Sequence, residues 1–235
     1  MTQDARKSVT VVLVHGAWAD ASSWRAVIAR LQAQGVAVLA VQNPTTSLAE
    51  DVAATSRVLA RIDGPVVLAG HSWGGTVITE AGADDKVKAL VYVAAFAPDV
   101  GQSTGDQVGA HPAPPGLSEV SQDGFGQYWM SERGWTDCVA QDLPPEEARV
   151  LWACQPPLGA STFADAVSQA AWKDKPVWYL LCSQDRAVST ELQRALTKRL
   201  QARTTEIASS HLPLLSHPDA VAEVLLDAVA TVAAG

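Results

Sequence analysis

The chain has 235 residues, 48% of them hydrophobic, enough for one large α/β domain with a sizeable core. Its net charge of −8 and pI near 5.0 argue against nucleic acid or a membrane surface as partner, because both would repel it. No apolar stretch is long enough to span a bilayer. The run after the basic pair Arg6-Lys7 is too short for a signal peptide and ends in His15-Gly16, so cytoplasmic residence is expected.

In chain order, Val9 to Val14 is the first apolar run. Apolar residues then recur at helical spacing, at Trp24, Val27, Ile28 and Leu31, until Gly35 offers a C-terminal cap. Val36 to Val41 reads as a second strand, and Ser47-Leu48-Ala49-Glu50 as a capping box opening a helix that reaches about Arg61. Pro65 to Ala69 is a third strand, and Thr76 to Ala81 is compatible with a helix. Between them lies Gly70-His71-Ser72-Trp73-Gly74, a G-x-S-x-G pattern followed by Gly75. If a strand runs into a helix within so few residues, Ser72 occupies a sharp, strained turn. Its neighbours two positions away on either side must then lack a Cβ, which Gly70 and Gly74 provide. The bland alternative is a glycine-rich connection with an incidental serine; the flanking strand and helix favour the functional reading.

Val87 to Ala95 reads as a fourth strand and Pro176 to Cys182 as a fifth. A helix follows over Ser189 to Gln201, then a sixth strand over Thr204 to Ala208 and a closing helix over Asp219 to Ala233. This alternation predicts a mostly parallel central sheet covered by helices on both faces. The interval 98–175 breaks the rhythm. It begins in the Pro- and Gly-rich PDVGQSTGDQVGAHPAPPG and continues with Trp129, Trp135, Trp152, Phe163 and Trp172 among helix-compatible stretches. An insertion between parallel strands emerges above the carboxyl edge of the sheet, where ligands bind in open α/β folds. It is read as a cap within a single domain spanning 1–235. Cys138, Cys154 and Cys182 have no C-x-x-C spacing and suggest neither a disulfide framework nor a zinc site.

A serine hydroxyl is a weak nucleophile until a base takes its proton, so Ser72 needs a histidine. His15 precedes the loop after the first strand, His71 should point away from Ser72, and His111 lies in the irregular part of the cap. His211 and His217 both follow the sixth strand. His211 comes directly at its carboxyl end and is preferred; a capping or surface role accounts for His217. The acid that orients the base is assigned to Asp185, just past the fifth strand, with Asp99 past the fourth as second choice. Either could instead be a turn or helix-cap aspartate. The oxyanion of a tetrahedral intermediate needs two donors. These are expected at the backbone N–H of Trp73 and that of Ala17, in the His15-Gly16-Ala17-Trp18 loop. Trp18 and Trp73 beside the serine, with Trp129 and Trp152 in the cap, are expected to line an apolar pocket, although most tryptophans simply pack the core.

VLVHGAW, GHSWGG, CSQDRAV and SSHLPLLSHP, in that order, resemble the α/β-hydrolase superfamily over essentially the whole chain, and within it the small esterases similar to plant methyl-ester hydrolases and hydroxynitrile lyases. The resemblance implies Ser72 as nucleophile, Asp185 as acid, His211 as base, and oxyanion donors at Ala17 and Trp73. Where the lyases carry a threonine and a lysine, this chain has Gly16 and Leu212, which speaks against cyanohydrin cleavage. Hydrolysis of a small apolar carboxylic ester is therefore expected, with no cofactor and no metal, since neither H-E-x-x-H nor a phosphate or dinucleotide fingerprint occurs. The alternatives are a lactone, an amide or a carbon–carbon bond cleaved by the same triad, or a ligand receptor without catalysis. Oligomeric state is not readable from the chain.

Overall fold

The computed structural model describes residues 9–235; the basic pair Arg6-Lys7 lies outside them. Six strands form one sheet: β1 (Thr10–Val14), β2 (Ala37–Val41), β3 (Val66–His71), β4 (Val87–Val93), β7 (Val177–Cys182) and the polar edge strand β8 (Arg203–Ile207). Their order is β2-β1-β3-β4-β7-β8, with every neighbouring pair parallel. The chain steps outward from β1 to β2 and then returns to place β3 on the other side of β1. That reversal makes the β1/β3 boundary a topological switch point, where the loops beyond the strand ends part and leave a crevice.

Both faces of the sheet are buried, so the central strands are apolar at consecutive positions and do not alternate with polar ones. On β3, Val66 and Leu68 join one core cluster while Val67 and Ala69 join the other. The first face carries α2 (Leu48–Leu59), α3 (Trp73–Ala81) and α6 (Thr190–Arg199), through residues such as Leu59, Val77 and Leu192. The second carries α1 (Arg25–Ala33) and α7 (Pro218–Ala234), through Val27, Leu31, Val221 and Leu225. A 3₁₀ turn over Ala21–Trp24 leads into α1, which stops at Gly35 with φ +77°. Ser47 caps α2 by accepting the Glu50 N–H at 3.2 Å, so the cap expected there forms on the serine side. Among the described residues no helix is long and apolar enough to cross a membrane.

Between β4 and β7 the chain folds over the carboxyl ends of the strands. This interval holds α4 (Thr104–Gly109), the antiparallel pair β5 (Val120–Gln122) and β6 (Tyr128–Met130), a π-helical turn at Trp135–Val139, and α5 (Pro145–Ala153). The stretch around Trp129, compatible with a helix by sequence, is a hairpin strand. The turn explains it: Asp123 accepts the N–H groups of Phe125 and Gln127, and Gly126 takes φ +82°. Met130, Trp135, Val139, Ala140 and Ala148 form a small core of their own, joined by Leu212 from the loop after β8. All three cysteines are free thiols.

Candidate active site

Ser72 sits between the last residue of β3 and the first of α3, with φ +54° and ψ −122°. A left-handed φ on a residue other than glycine is costly and persists only when its surroundings hold it. Three main-chain hydrogen bonds do so. The Ser72 N–H donates to the Val93 carbonyl at 3.2 Å, and the Ser72 carbonyl accepts the N–H groups of Gly75 (3.0 Å) and Phe96 (3.2 Å). The flanking glycines are required by close approach, not by their dihedrals. A Cβ on Gly70 would run into the main chain of Gly74, and one on Gly74 would stand 2.5 Å from the Val14 carbonyl oxygen. Gly16 belongs to the same packing, since a Cβ there would lie 2.8 Å from the Cβ of Ser72. The turn after β1 is thus pressed directly against the serine.

His15 shapes that turn. Its Nε2 accepts the Asn43 N–H at 3.0 Å, which leaves the ring proton on Nδ1 to donate to the Gly16 carbonyl at 2.8 Å. Burial lowers its pKa and keeps the ring neutral. Among the described residues the N–H groups of Ala17 and Trp73 have no hydrogen-bond partner. For Trp73 this follows from its place as the first residue of α3.

Asp185 follows β7 and His211 follows β8, on neighbouring strands. His211 Nδ1 donates to Asp185 Oδ2 at 2.7 Å, with both side chains buried. The proton on Nδ1 leaves the Nε2 lone pair free. Asp185 is itself held by three further donors. Its Oδ1 accepts the N–H groups of Ala187 and Val188, each at 2.8 Å, and its Oδ2 accepts Gln193 Nε2 at 2.9 Å. His71 packs against His211, with ring centroids 4.7 Å apart, and its Nε2–H donates to the His211 carbonyl at 2.7 Å. Burial and the adjacent His211 ring hold the His71 pKa well below the usual histidine range, so it remains neutral. Asp99 lies apart, paired with Lys173. His217 bonds its neighbour Ser216 at 2.9 Å.

Ser72, His71 and His211 open on one cavity of about 250 Å³. A Ser72–His211 hydrogen bond is not formed, and such bonds are often long or misaligned until substrate binds. Trp18 and Trp73 line the cavity as expected, together with Phe96, Val108, His111, Met130, Trp135, Phe163 and Leu192. Trp129 and Trp152, expected to line the pocket, do not. On β6 the side chains alternate, so Met130 turns into the cavity while Trp129 lies on the opposite face and donates to Asp123 at 2.8 Å. Trp152, one turn beyond the buried Ala148 near the end of α5, is 36% exposed and does not reach the cavity.

Several site residues escaped the reading of the sequence. Gln193 reads as a polar helix position, yet it is fully buried beneath Asp185. Asp142 in the cap accepts the Ser210 N–H at 2.8 Å, immediately before His211. Asp51 is fully buried and accepts the Trp73 indole N–H at 2.7 Å. It directly follows the Ser47-Leu48-Ala49-Glu50 cap in the first turn of α2, where an acidic residue is common on an exposed helix start. Among the described residues no group of three or more His, Cys, Asp and Glu side chains is arranged to hold a metal ion.

A family model described as "Alpha/beta hydrolase family" matches residues 11–224. Methylesterase 2 of Arabidopsis thaliana is 27% identical, over 96% of this chain and 97% of that protein. A probable hydrolase, R7, of a Phoma species is 26% identical, over 92% of this chain and 96% of its own length. Among solved structures, polyneuridine aldehyde esterase superposes with a TM-score of 0.80 at 22% identity, covering 93% to 94% of this chain and 98% of that one.

Proposed function

The chain belongs to the alpha/beta hydrolase family, and we propose that it is a serine hydrolase cleaving a carboxylic ester of a small apolar substrate through an acyl-enzyme on Ser72. The observation that carries this reading is a strained serine at the floor of an apolar cavity that it shares with a histidine bound to a buried aspartate. The names of similar proteins, a methylesterase and an aldehyde esterase among them, support the ester bond as the one attacked.

In this reading the cavity holds the ester with its carbonyl carbon over Ser72 Oγ. Nε2 of His211 takes the hydroxyl proton as the oxygen attacks, and the carbonyl π electrons move onto oxygen. The N–H groups of Ala17 and Trp73 receive that oxyanion, where fixed dipoles in a dry site lower the barrier more than water would. Asp185 stays ionised and stabilises the imidazolium. Collapse of the intermediate expels the alcohol, which takes the proton back from Nε2. A water then repeats the sequence on the acyl-enzyme, with His211 as its base, and releases the acid.

Ser72→Ala tests the reading. Turnover of a short aryl ester should fall by about a thousandfold or more, because only oxyanion and binding effects survive loss of the nucleophile. A fluorophosphonate should label the native protein and not the variant. Undiminished esterase turnover in folded Ser72→Ala overturns the mechanism, and a native protein that resists the label would be a receptor on this fold.

A further inference from the structure

A ring of hydrogen bonds joins the two turns that flank Ser72, and it runs through the cap. From the turn after β3, the Trp73 indole N–H donates to Asp51 Oδ2 at 2.7 Å. The other carboxylate oxygen accepts the Thr45 N–H at 2.8 Å. Thr45 grips the cap: its carbonyl accepts the Gly159 N–H at 2.7 Å, and its hydroxyl shares its proton between the Pro157 carbonyl at 2.9 Å and the Pro44 carbonyl at 2.8 Å. Between those two residues, Leu158 exchanges both main-chain bonds with Tyr128, at 2.8 and 3.0 Å. The Tyr128 carbonyl also accepts the Trp18 indole N–H at 2.9 Å. Trp18 follows Ala17 on the turn after β1, so the ring closes across the cavity.

Its members are expensive to keep. Asp51 is fully buried, and burial pushes its carboxyl up to about 6 against the two N–H donors that favour the charged form. Thr45 and Trp18 both take left-handed φ values, +55° and +56°. Phe163 from the cap fills the middle of the ring, with its centroid 6.2 Å from Trp18, 6.4 Å from Trp73 and 6.3 Å from Tyr128. Indole anchoring of both turns is not needed to close either turn locally, because each already has its own glycine packing. What the ring adds is a fixed relation between the two.

We propose that Asp51 is a positioning residue for the reaction: it holds Trp73 and, through Thr45 and the cap, Trp18, so that the N–H groups of Trp73 and Ala17 converge on one oxygen. This rests on the reading of those two groups as oxyanion donors. Asp51 touches neither substrate nor reacting atoms and acts only through the two groups it holds, Trp73 and Thr45. A seated cap and a formed oxyanion site are then a single state.

The test compares Asp51→Asn and Trp73→Phe, singly and together, in the full chain. Each single variant should lower kcat by about 10- to 100-fold with KM little changed, since a small misplacement of a catalytic group costs that much. The double variant should be no worse than the poorer single one, because Trp73→Phe removes the indole N–H and Asp51→Asn leaves one acceptor oxygen for two N–H donors, so both act on the same link. Affinity for a trifluoromethyl ketone, which Ser72 converts to a tetrahedral oxyanion, should fall in step with kcat. Affinity for the matching trifluoromethyl carbinol, which has no carbonyl to attack, should not. Equal losses on ketone and carbinol, additive losses, or unchanged kcat in either folded variant overturn the proposal. If Asp51→Asn does not fold, Trp73→Phe with the two inhibitors decides alone. Ser72→Ala separates this from the underlying reading: if that variant keeps tight ketone binding, the acyl-enzyme mechanism itself has failed.

Discussion

Main-chain packing fixes the turn that carries Ser72, whereas side-chain hydrogen bonds fix the two loops that carry Asp185 and His211. Around Ser72 the contacts are backbone against backbone, with Gly16, Gly70 and Gly74 each placed where a Cβ would collide. Around Asp185 and His211 the holding groups are Gln193, His71 and, from the cap, Asp142. The first arrangement is local in sequence apart from the neighbouring strand ends, and it admits almost no substitution. The second draws on residues scattered from position 71 to 193, and each contributes a part. Damage to the serine side should therefore be abrupt, and damage to the acid–base side graded.

The largest effect expected on the graded side is at the acid. Asp185→Asn should lower kcat by about 10³- to 10⁴-fold while the protein stays folded, because an amide cannot hold the Nδ1–H tautomer or stabilise the imidazolium. Asp99→Asn should change kcat by less than about twofold, since that carboxylate pairs with Lys173 near the surface and accepts the Val100 N–H, away from His211. Steady-state kinetics on one aryl ester measure both. A reversal of the two results would move the acid to the loop after β4.

Gln193 comes next. Its Nε2 donates to Asp185 Oδ2 at 2.9 Å, and its Oε1 accepts the Cys182 N–H at 3.1 Å. Gln193→Met keeps the volume and removes these bonds together with a third, from Nε2 to the Val188 carbonyl at 3.3 Å. A hydrogen bond to a charged group contributes roughly 1.5–3 kcal/mol, and two main-chain donors remain on Asp185, so kcat should fall by about tenfold. A fall in thermal stability with kcat intact would assign Gln193 to the fold alone.

The same contrast explains what the sequence made legible. Five of the six strands were readable because each is a short apolar run bounded by turn residues, whereas β8, with Arg203, Thr204, Thr205 and Glu206, was placed by its position between two helical stretches. The turn at Ser72 was readable because glycines forced by close approach leave a fixed pattern in adjacent positions. Asp185 and His211 could be placed at neighbouring strand ends by chain order, which brings His211 to the cavity and Asp185 behind it without saying what secures them. Gln193, Asp142 and Asp51 left no mark, because a polar residue on a helix or loop looks the same whether it meets solvent or a buried partner. The cap was least legible. Its strands are three residues long, too short for any period to register, and its tryptophans declare bulk but not direction.

Direction is what the smallest expected effect tests. Trp152, near the end of α5, does not reach the cavity, and Trp129 lies on the face of β6 away from it, whereas Trp135 and Phe163 line it. Trp152→Ala should leave kcat/KM within about twofold for short and bulky esters alike, because truncating an exposed side chain changes stability by roughly 0.5 kcal/mol or less. Trp129→Ala loses its bond to Asp123 and should cost some stability in the hairpin, equally for all substrates. Phe163→Ala removes a ring that the substrate can touch and that fills the space among Trp18, Trp73 and Tyr128. Its kcat/KM should fall by about tenfold or more on bulky esters, as burial of an aromatic side chain contributes roughly 1.5–3 kcal/mol. Acetyl esters should lose less, and that remaining loss reports how far the ring's collapse disturbs the turns beside Ser72. If Trp152→Ala were the variant that discriminated by ester size, the cap would have to rotate α5 inward during turnover, and its outer face would be the selective one.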